Sequence, residues 1–238
     1  GVIGIFGPLV IFIYYTFIES WTLAYSFFAI LGKYSHITDQ ATMQNFLRGY
    51  QGIQNNEFFQ GLGPAYFFFL ITFGINAVVL YHGIKGGIER LCNVAMPLLL
   101  VCGVVLMVRV LTLGTPDPAR PDWNINNGFG FLWNPDFSAL KSAKVWLEAA
   151  GQIFFTLSVG IGVILTYASY LSKGDDVVRS GLTAASANEF AEVILGGSII
   201  IPAAFVFFGP GEIKAVAQSG TFNLGFVTMP LVLNHLPW

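Results

Sequence analysis

The sequence predicts an all-α, polytopic membrane protein, and three observations carry that expectation. Of 238 residues, 55% are hydrophobic and only 10% charged, with a mean hydropathy of +0.67, far from the quarter of charged residues usual in soluble domains. Apolar stretches recur at about residues 2–31, 64–81, 91–113, 145–171 and 182–208, each close to the ~20 residues a helix needs to cross about 30 Å of hydrocarbon. The fourth stretch carries GQIFFTLSVGIG at its centre, and polar residues and glycines there point to a discontinuous helix around Ser158.

Taken in order, the first span, 2–31, holds Glu19 within IYYTFIESW, nearer the outer end, where a structural role is expected. A long connection, 32–63, leads to the second span, and a short one, 82–90, to the third. That third span contains Cys92 and Cys102, ten residues apart without zinc-type pairing, and they are read as small core residues. A second long connection, 114–144, includes WNPDFSALKSAKVW. Asn134 is its expected N-cap and Pro135 its first helical residue, giving a short surface helix ahead of the fourth span. The short connections hold Lys85, Arg90, Lys173 and Arg179, so the excess of basic residues places them in the cytoplasm and the long connections outside. After Phe208, short apolar blocks alternate with Gly and Pro over residues 209–238. They are too short to span and predict two short helices, an extracellular re-entrant loop. His36, His82 and His235 are assigned to three separate loops, and no metal site is drawn from them. The net charge of −2 and scattered basic residues exclude nucleic acid as a partner. The chain reads as a piece of a longer protein without a visible signal peptide.

The loosened fourth span has two readings. Gly160 and Gly162 would let the chain leave and re-enter helix near Ser158, freeing carbonyls and amides that suit a cation and a carboxylate. Alternatively, the small residues form a packing face and Thr156 and Ser158 bond back to their own helix. The fifth span favours the first. ASANEFAEVILGG puts Asn188 and Glu192 four residues apart on one helical face near mid-membrane, where a charge costs about 2.5–3.5 kcal/mol and usually marks function. A protonated Glu192 satisfied by a neighbouring helix is the structural counterpart.

The blocks IYYTFIESWTL, GIERLCNVAMP, VWLEAAGQIFFTLSVGIG, LTAASANEFAEVILGGSIIIPAA and GTFNLGF resemble, in order and over nearly the whole chain, the neurotransmitter:sodium symporter family, above all its bacterial amino acid transporters of the leucine transporter type. The resemblance implies a twelve-span inverted-repeat fold of which this single domain supplies the third to seventh spans and the following extracellular loop. Broken helices meeting at a mid-membrane site are a property of that fold and not of these residues alone.

The resemblance further implies that Ile11, Tyr15, Phe155, Thr156, Ser158 and Ile161 line a substrate pocket, with Tyr15 and Phe155 closing it outward. Thr156 and Asn188 would be ligands of a sodium ion, the coupling ion; no organic cofactor is implied. Glu192, with Gln152 beside it, would stand where chloride-dependent animal relatives bind chloride. Tyr170 would support an inner gate and Phe222 an outer vestibule. Ile161 departs from the aromatic often found at its position and enlarges that wall, while Ile11 opposite narrows it. The spacing of Gly87 and Pro97 is similar to a segment that unwinds in relatives, and is equally ordinary for a helix start. The implied function is chloride-independent, sodium-coupled symport of a neutral, hydrophobic or aromatic amino acid by a multi-pass protein of the bacterial inner (plasma) membrane. Its partners would be the amino acid and the lipid bilayer, and a homodimer is left open.

Two alternatives are a transport-deficient relative acting as a membrane sensor, and symport of a non-amino-acid solute. An intramembrane serine protease would need a membrane His to activate Ser, and none is assigned there; the protein is expected not to be an enzyme. The absence of any Asn-x-Ser/Thr sequon favours a bacterial source. Since the implied first and eighth spans, which would complete the site, are missing, this chain alone is not expected to transport.

Overall fold

The computed structural model describes residues 2–218 and 220–236. Its helices are α1 (Val2–Ile30), α2 (Gln40–Tyr50), α3 (Gly63–Tyr81), α4 (Glu89–Leu111), α5 (Ile125–Trp133), α6 (Ala143–Thr156), α7 (Val163–Ala168), α8 (Val177–Glu189), α9 (Ser198–Gln218), α10 (Thr221–Asn223) and α11 (Met229–His235). Wider π-helical turns join α3 to α4 at Ile84–Ile88, α8 to α9 at Phe190–Gly197 and α10 to α11 at Leu224–Thr228. Four segments are long and apolar enough to cross a membrane among the described residues: Ile5–Ile30, Gly63–Tyr81, Ile84–Leu111 and Val177–Ala215. The stretch 145–171 is divided instead into α6 and α7, because residues 157–162 leave the helix.

The chain forms two compact units, one of Gly1–Tyr15 with Trp133–Gly196 and one of Thr16–Leu132 with Gly197–Trp238. The second is built on aromatic packing. Trp21, Tyr25 and Phe28 of α1 meet Phe46 and Tyr50 of α2, Phe59, Phe68 of α3 and Phe226 in one buried cluster. Phe46 is fully buried and lies 4.9 Å from the Phe59 ring and 5.7 Å from that of Phe28, both edge-on. Such T-shaped pairs add about 0.5–1.5 kcal/mol each to the area they bury. Within the connection 32–63, α2 has a well-defined start: the Asp39 side chain accepts from Thr42 N at 2.8 Å. That bond, made by an exposed carboxylate, holds the Asp39 carboxyl below its ordinary range. Asn234 of α11 donates to the carbonyls of Tyr34 (2.8 Å) and Ile37 (3.3 Å), tying the last helix to the connection between α1 and α2.

Also in this unit, α9 kinks at Gly209, whose φ is 78°. A Cβ there would lie 2.3 Å from the Trp123 ring, so only glycine fits both the left-handed backbone and the indole against it. Gly128 of α5 likewise sits on the Pro202 backbone, where a Cβ would approach to 2.8 Å. Residues 84–111 are helical throughout, so the segment between Gly87 and Pro97 is wound here. Glu19 accepts from Asn76 Nδ2 at 2.7 Å, a partner that fits the structural role expected of it.

Several local readings change. The helix expected from Asn134 is a five-residue 3-10 turn, Phe137–Lys141, capped by Asp136 rather than Asn134, because the Asp136 carboxylate takes Ser138 N. Hydrogen bonds from Ser138 hold the Asp136 carboxyl below its ordinary range. Cys92 and Cys102 are exposed rather than core residues, since Val110 is the buried position of α4. His235 ends α11 and His82 caps α3, at helix ends rather than in loops; each ring nitrogen Nδ1 sits 2.8 Å from the carbonyl four residues earlier.

Candidate functional site

The unit of Gly1–Tyr15 and Trp133–Gly196 contains little buried apolar surface and a concentrated polar cluster. Its architecture starts with the break between α6 and α7. At the end of α6, Val159 N donates to Phe154 O at 2.9 Å and Ser158 N to Phe155 O at 3.1 Å, the double bond of a Schellman stop. The residue that turns left-handed in this motif is usually glycine. Here it is Ser158, with φ 55°, the sole non-glycine residue with positive φ among those described. This conformation costs an L-residue about 1–2 kcal/mol. Gly160 and Gly162, both at φ 83°, carry the chain onward until α7 restarts at Val163. The break is thus a stop followed by two glycine turns, and the helix is discontinuous around Ser158 as the sequence predicts.

Two pairs with helical spacing of four converge beside this break. Gln152 and Thr156 come from the last turns of α6; Asn188 comes from α8, and Glu192 from the π-helical turn that follows it. The Glu192 carboxylate accepts from Gln152 Nε2 on one oxygen and from the Thr156 hydroxyl on the other. Asn188 Nδ2 donates to Thr156 Oγ1 at 2.7 Å and reaches the same Glu192 oxygen at 3.4 Å. The directions are consistent: Thr156 accepts once and donates once, and the carboxylate only accepts. The π turn has a local consequence, since widening the helix re-aims the side chains that follow, and such turns recur at functional sites.

The cluster borders an open cavity of about 440 Å³ lined by Ile11, Tyr15, Gln152, Phe155, Thr156, Ser158, Ile161, Val163 and Glu192. All six residues expected to line the substrate pocket are in that lining, and Asn188 joins it through Thr156. Tyr15 and Phe155 are both about half exposed. Val163 is the lining residue the sequence reading missed; its position directly after Gly162, first in the restarted helix, is the signal that would have found it. Two gating residues lie elsewhere. Tyr170 is exposed beyond the end of α7 and absent from the lining. Phe222, in α10 of the other unit, packs edge-on against Trp21 with ring centres 6.1 Å apart.

The donor chemistry suits a small hard cation. Such ions take oxygen ligands, and the neutral oxygens of Thr156 and Asn188 stand beside a fixed carboxylate. Among the described residues no group of three His, Cys, Asp or Glu could hold a metal ion.

Comparison with known proteins identifies the family. The model of the sodium:neurotransmitter symporter family matches residues 31–238. The chain is 29% identical over 242 residues to an uncharacterized sodium-dependent transporter of Methanocaldococcus jannaschii, covering 100% of this chain and 46% of that protein. It is 31% identical over 239 residues to one of Bacillus subtilis, covering 100% and 47%. A sodium-dependent dopamine transporter of Caenorhabditis elegans is 33% identical over 135 residues, 56% of this chain and 20% of that protein. The chain therefore spans about half the length of the relatives it matches throughout. With an all-helical, membrane-embedded architecture and a match across most of its length, the chain belongs to the sodium:neurotransmitter symporter family.

Proposed function

We propose that the full-length protein is a sodium-coupled symporter of a neutral, hydrophobic or aromatic amino acid, working by alternating access in the plasma membrane without need of chloride. The observation that carries this reading is the ring of Gln152, Thr156, Asn188 and Glu192 at the edge of the cavity beside the broken helix. Sodium, as co-substrate, would take the oxygens of Thr156 and Asn188, and the substrate's carboxylate would complete its shell. Two ligands that share coordination raise each other's affinity by the same factor, which is the thermodynamic basis of coupling. The largely apolar lining, Ile11, Tyr15, Phe155, Ile161 and Val163, suits a hydrophobic side chain.

Chloride independence follows from charge. A cation in a low-dielectric pocket requires a compensating anion. Glu192 supplies one covalently, and the amide and hydroxyl donors that could otherwise hold a mobile anion are already engaged by its oxygens.

The test is binding of a labelled amino acid panel to the purified full-length protein in sodium or potassium, each with chloride or gluconate. Binding that requires sodium and ignores the anion is expected, and Glu192→Ser is expected to add a chloride requirement. A folded protein that binds no amino acid in sodium would overturn the symporter reading in favour of a sensor or another solute. Equal binding by Glu192→Ser in chloride and gluconate would overturn the charge argument alone.

A further inference from the structure

We propose that the aromatic core around α1 and α2 encloses a water-binding site, in which one buried water takes the protons of the Tyr25 and Tyr50 hydroxyls and bonds in turn to Ser20 and Tyr34. The proposal is independent of the substrate reading, because these residues belong to α1, α2 and the connection between them, all within the unit of Thr16–Leu132 and Gly197–Trp238. The buried cluster that holds the three tyrosines contains no charged side chain, so its occupant is a neutral molecule small enough for a packed core.

Tyr25 Oη and Tyr50 Oη are buried without a hydrogen-bond partner among the described residues. Tyr25 is 6% exposed and Tyr50 0%, so neither bulk solvent nor a further segment of the full-length protein reaches these oxygens. Buried polar groups are hydrogen-bonded in the great majority, which places the partner of each inside the cluster itself. Phe28, Phe59 and Phe68 pack on the Tyr50 ring, and Phe28, Phe46 and Phe226 on that of Tyr25. Phenylalanine serves as packing on every side, so the hydroxyls and not the rings require an explanation. Trp21 Nε1 is also buried without a partner, but it meets Phe17, Phe222 and Phe226 at T-shaped angles, where ring faces act as weak acceptors, and it lies outside the site.

The directions of the surrounding bonds define what fits. The Tyr25 and Tyr50 rings are 6.3 Å apart, and the Tyr25 hydroxyl is close enough to those of Tyr34 and Tyr50 to interact with both. Ser20 stands beside the Tyr50 hydroxyl without completing a hydrogen bond to it. The Ser20 hydroxyl donates to Phe17 O at 2.6 Å, and the Tyr34 hydroxyl to Tyr25 O at 3.3 Å. Both protons are thus committed, and each oxygen offers lone pairs only. A tyrosine hydroxyl is protonated at neutral pH, and burial pushes the Tyr50 pKa further up, so Tyr25 and Tyr50 bring protons to the site. A water accepts two hydrogen bonds and donates two. It can take the protons of Tyr25 and Tyr50 and give its own to Ser20 and Tyr34, which is the full complement of a buried water. The bridge would join α1 to α2 at the centre of the aromatic cluster.

The test is an experimental structure of the full-length protein at a resolution that shows ordered water. Density for an oxygen at about 2.5–3.0 Å from both the Tyr25 and Tyr50 hydroxyls is expected. A well-ordered core without that density, or with the two hydroxyls bonded directly to protein groups, would overturn the proposal. Phenylalanine variants of the full-length protein, unfolded reversibly in detergent, give an independent sign. Deleting a hydroxyl that holds a water loses a bond, whereas deleting one that has no partner removes only the penalty of burying it. Tyr25→Phe and Tyr50→Phe are each expected to lower the ratio of folded to unfolded protein roughly two- to tenfold. The double variant is expected to lose less than the product of the two, because both act through one water. A Tyr50→Phe protein at least as stable as the parent would overturn the proposal, and so would losses that simply multiply in the double variant.

Discussion

Among the described residues, the buried apolar side chains lie in the unit of Thr16–Leu132 and Gly197–Trp238, with the single exception of Leu195. Glu192 and the three polar side chains around it, Gln152, Thr156 and Asn188, all lie in the other unit. The first is held by shape, with aromatic edges on aromatic faces around Phe46. The second is held by direction, with amide and hydroxyl donors aimed at one carboxylate beside a helix that stops and restarts. Packing of the first kind resists change because bistable alternatives are few. A hydrogen-bonded ring whose members can exchange a partner for an ion is suited to respond to one. On the function proposed above, the contrast is a division of labour within one chain: apolar packing concentrated in one unit and ion response in the other.

Four substitutions in the full-length protein sharpen or break that division. The largest effect is expected for Phe46→Ala. Removing a fully buried ring in contact with five other aromatic rings, including Tyr25, Tyr34 and Phe58, should cost about 3–5 kcal/mol. It should appear as a lower Tm with an unchanged sodium dependence of substrate binding in the protein that remains folded. Next is Thr156→Val, which keeps volume but deletes the hydroxyl shared by Asn188 and Glu192. Loss of a hydrogen bond to a charged group amounts to about 1.5–3 kcal/mol, so apparent sodium affinity should fall roughly ten- to hundredfold while Tm moves little. If Thr156→Val lowers Tm as far as Phe46→Ala and leaves the sodium titration in place, the division of labour fails.

A smaller effect of opposite sign is expected for Ser158→Gly. Glycine relieves the left-handed strain at φ 55°, worth about 1 kcal/mol, offset in part by the greater freedom of the unfolded chain. The variant should be slightly more thermostable and bind substrate more weakly, since a hydroxyl leaves the cavity wall. The smallest effect belongs to Asp39→Ala at the start of α2. The folded Asp39 carboxyl titrates below its ordinary range because Thr42 donates to it. The stabilisation it lends is therefore present above that range and disappears as pH falls through the folded value. The Tm difference between parent and Asp39→Ala should be small at neutral pH and shrink towards zero in acid; a difference that grows on acidification would contradict the capping role.

Much of this was legible in the linear sequence. Apolar runs of crossing length locate the long helices because a membrane demands them, and Asn188 with Glu192 announces itself through spacing and through the rarity of a carboxylate at that depth. The break around Ser158 was foreseeable from Gly160 and Gly162, although glycine and not serine would be expected at the left-handed position. What was hidden depends on tertiary partners. Met43, Phe46, Leu47 and Tyr50 follow a helical period in α2, but their segment is polar on average and lies inside what reads as a loop. In α5, INNGFGFLW carries two glycines, and Gly128 is explained only by the Pro202 backbone across from it. The direction of the Glu192 ring requires two helices to be brought together, which no single stretch encodes.

Trp123 offers one more use of the kink it covers. The indole lies against the backbone of Gly209 at the bend of α9, and the Arg120 guanidinium carbon lies 4.3 Å from the centre of its ring. An indole in contact with both a cation and a bend has an emission that depends on both, so the molecule carries its own optical reporter. With every other tryptophan of the full-length protein replaced, the wavelength and intensity of Trp123 would follow the angle of α9 in real time, without an attached dye and in the same sample used for ligand titration.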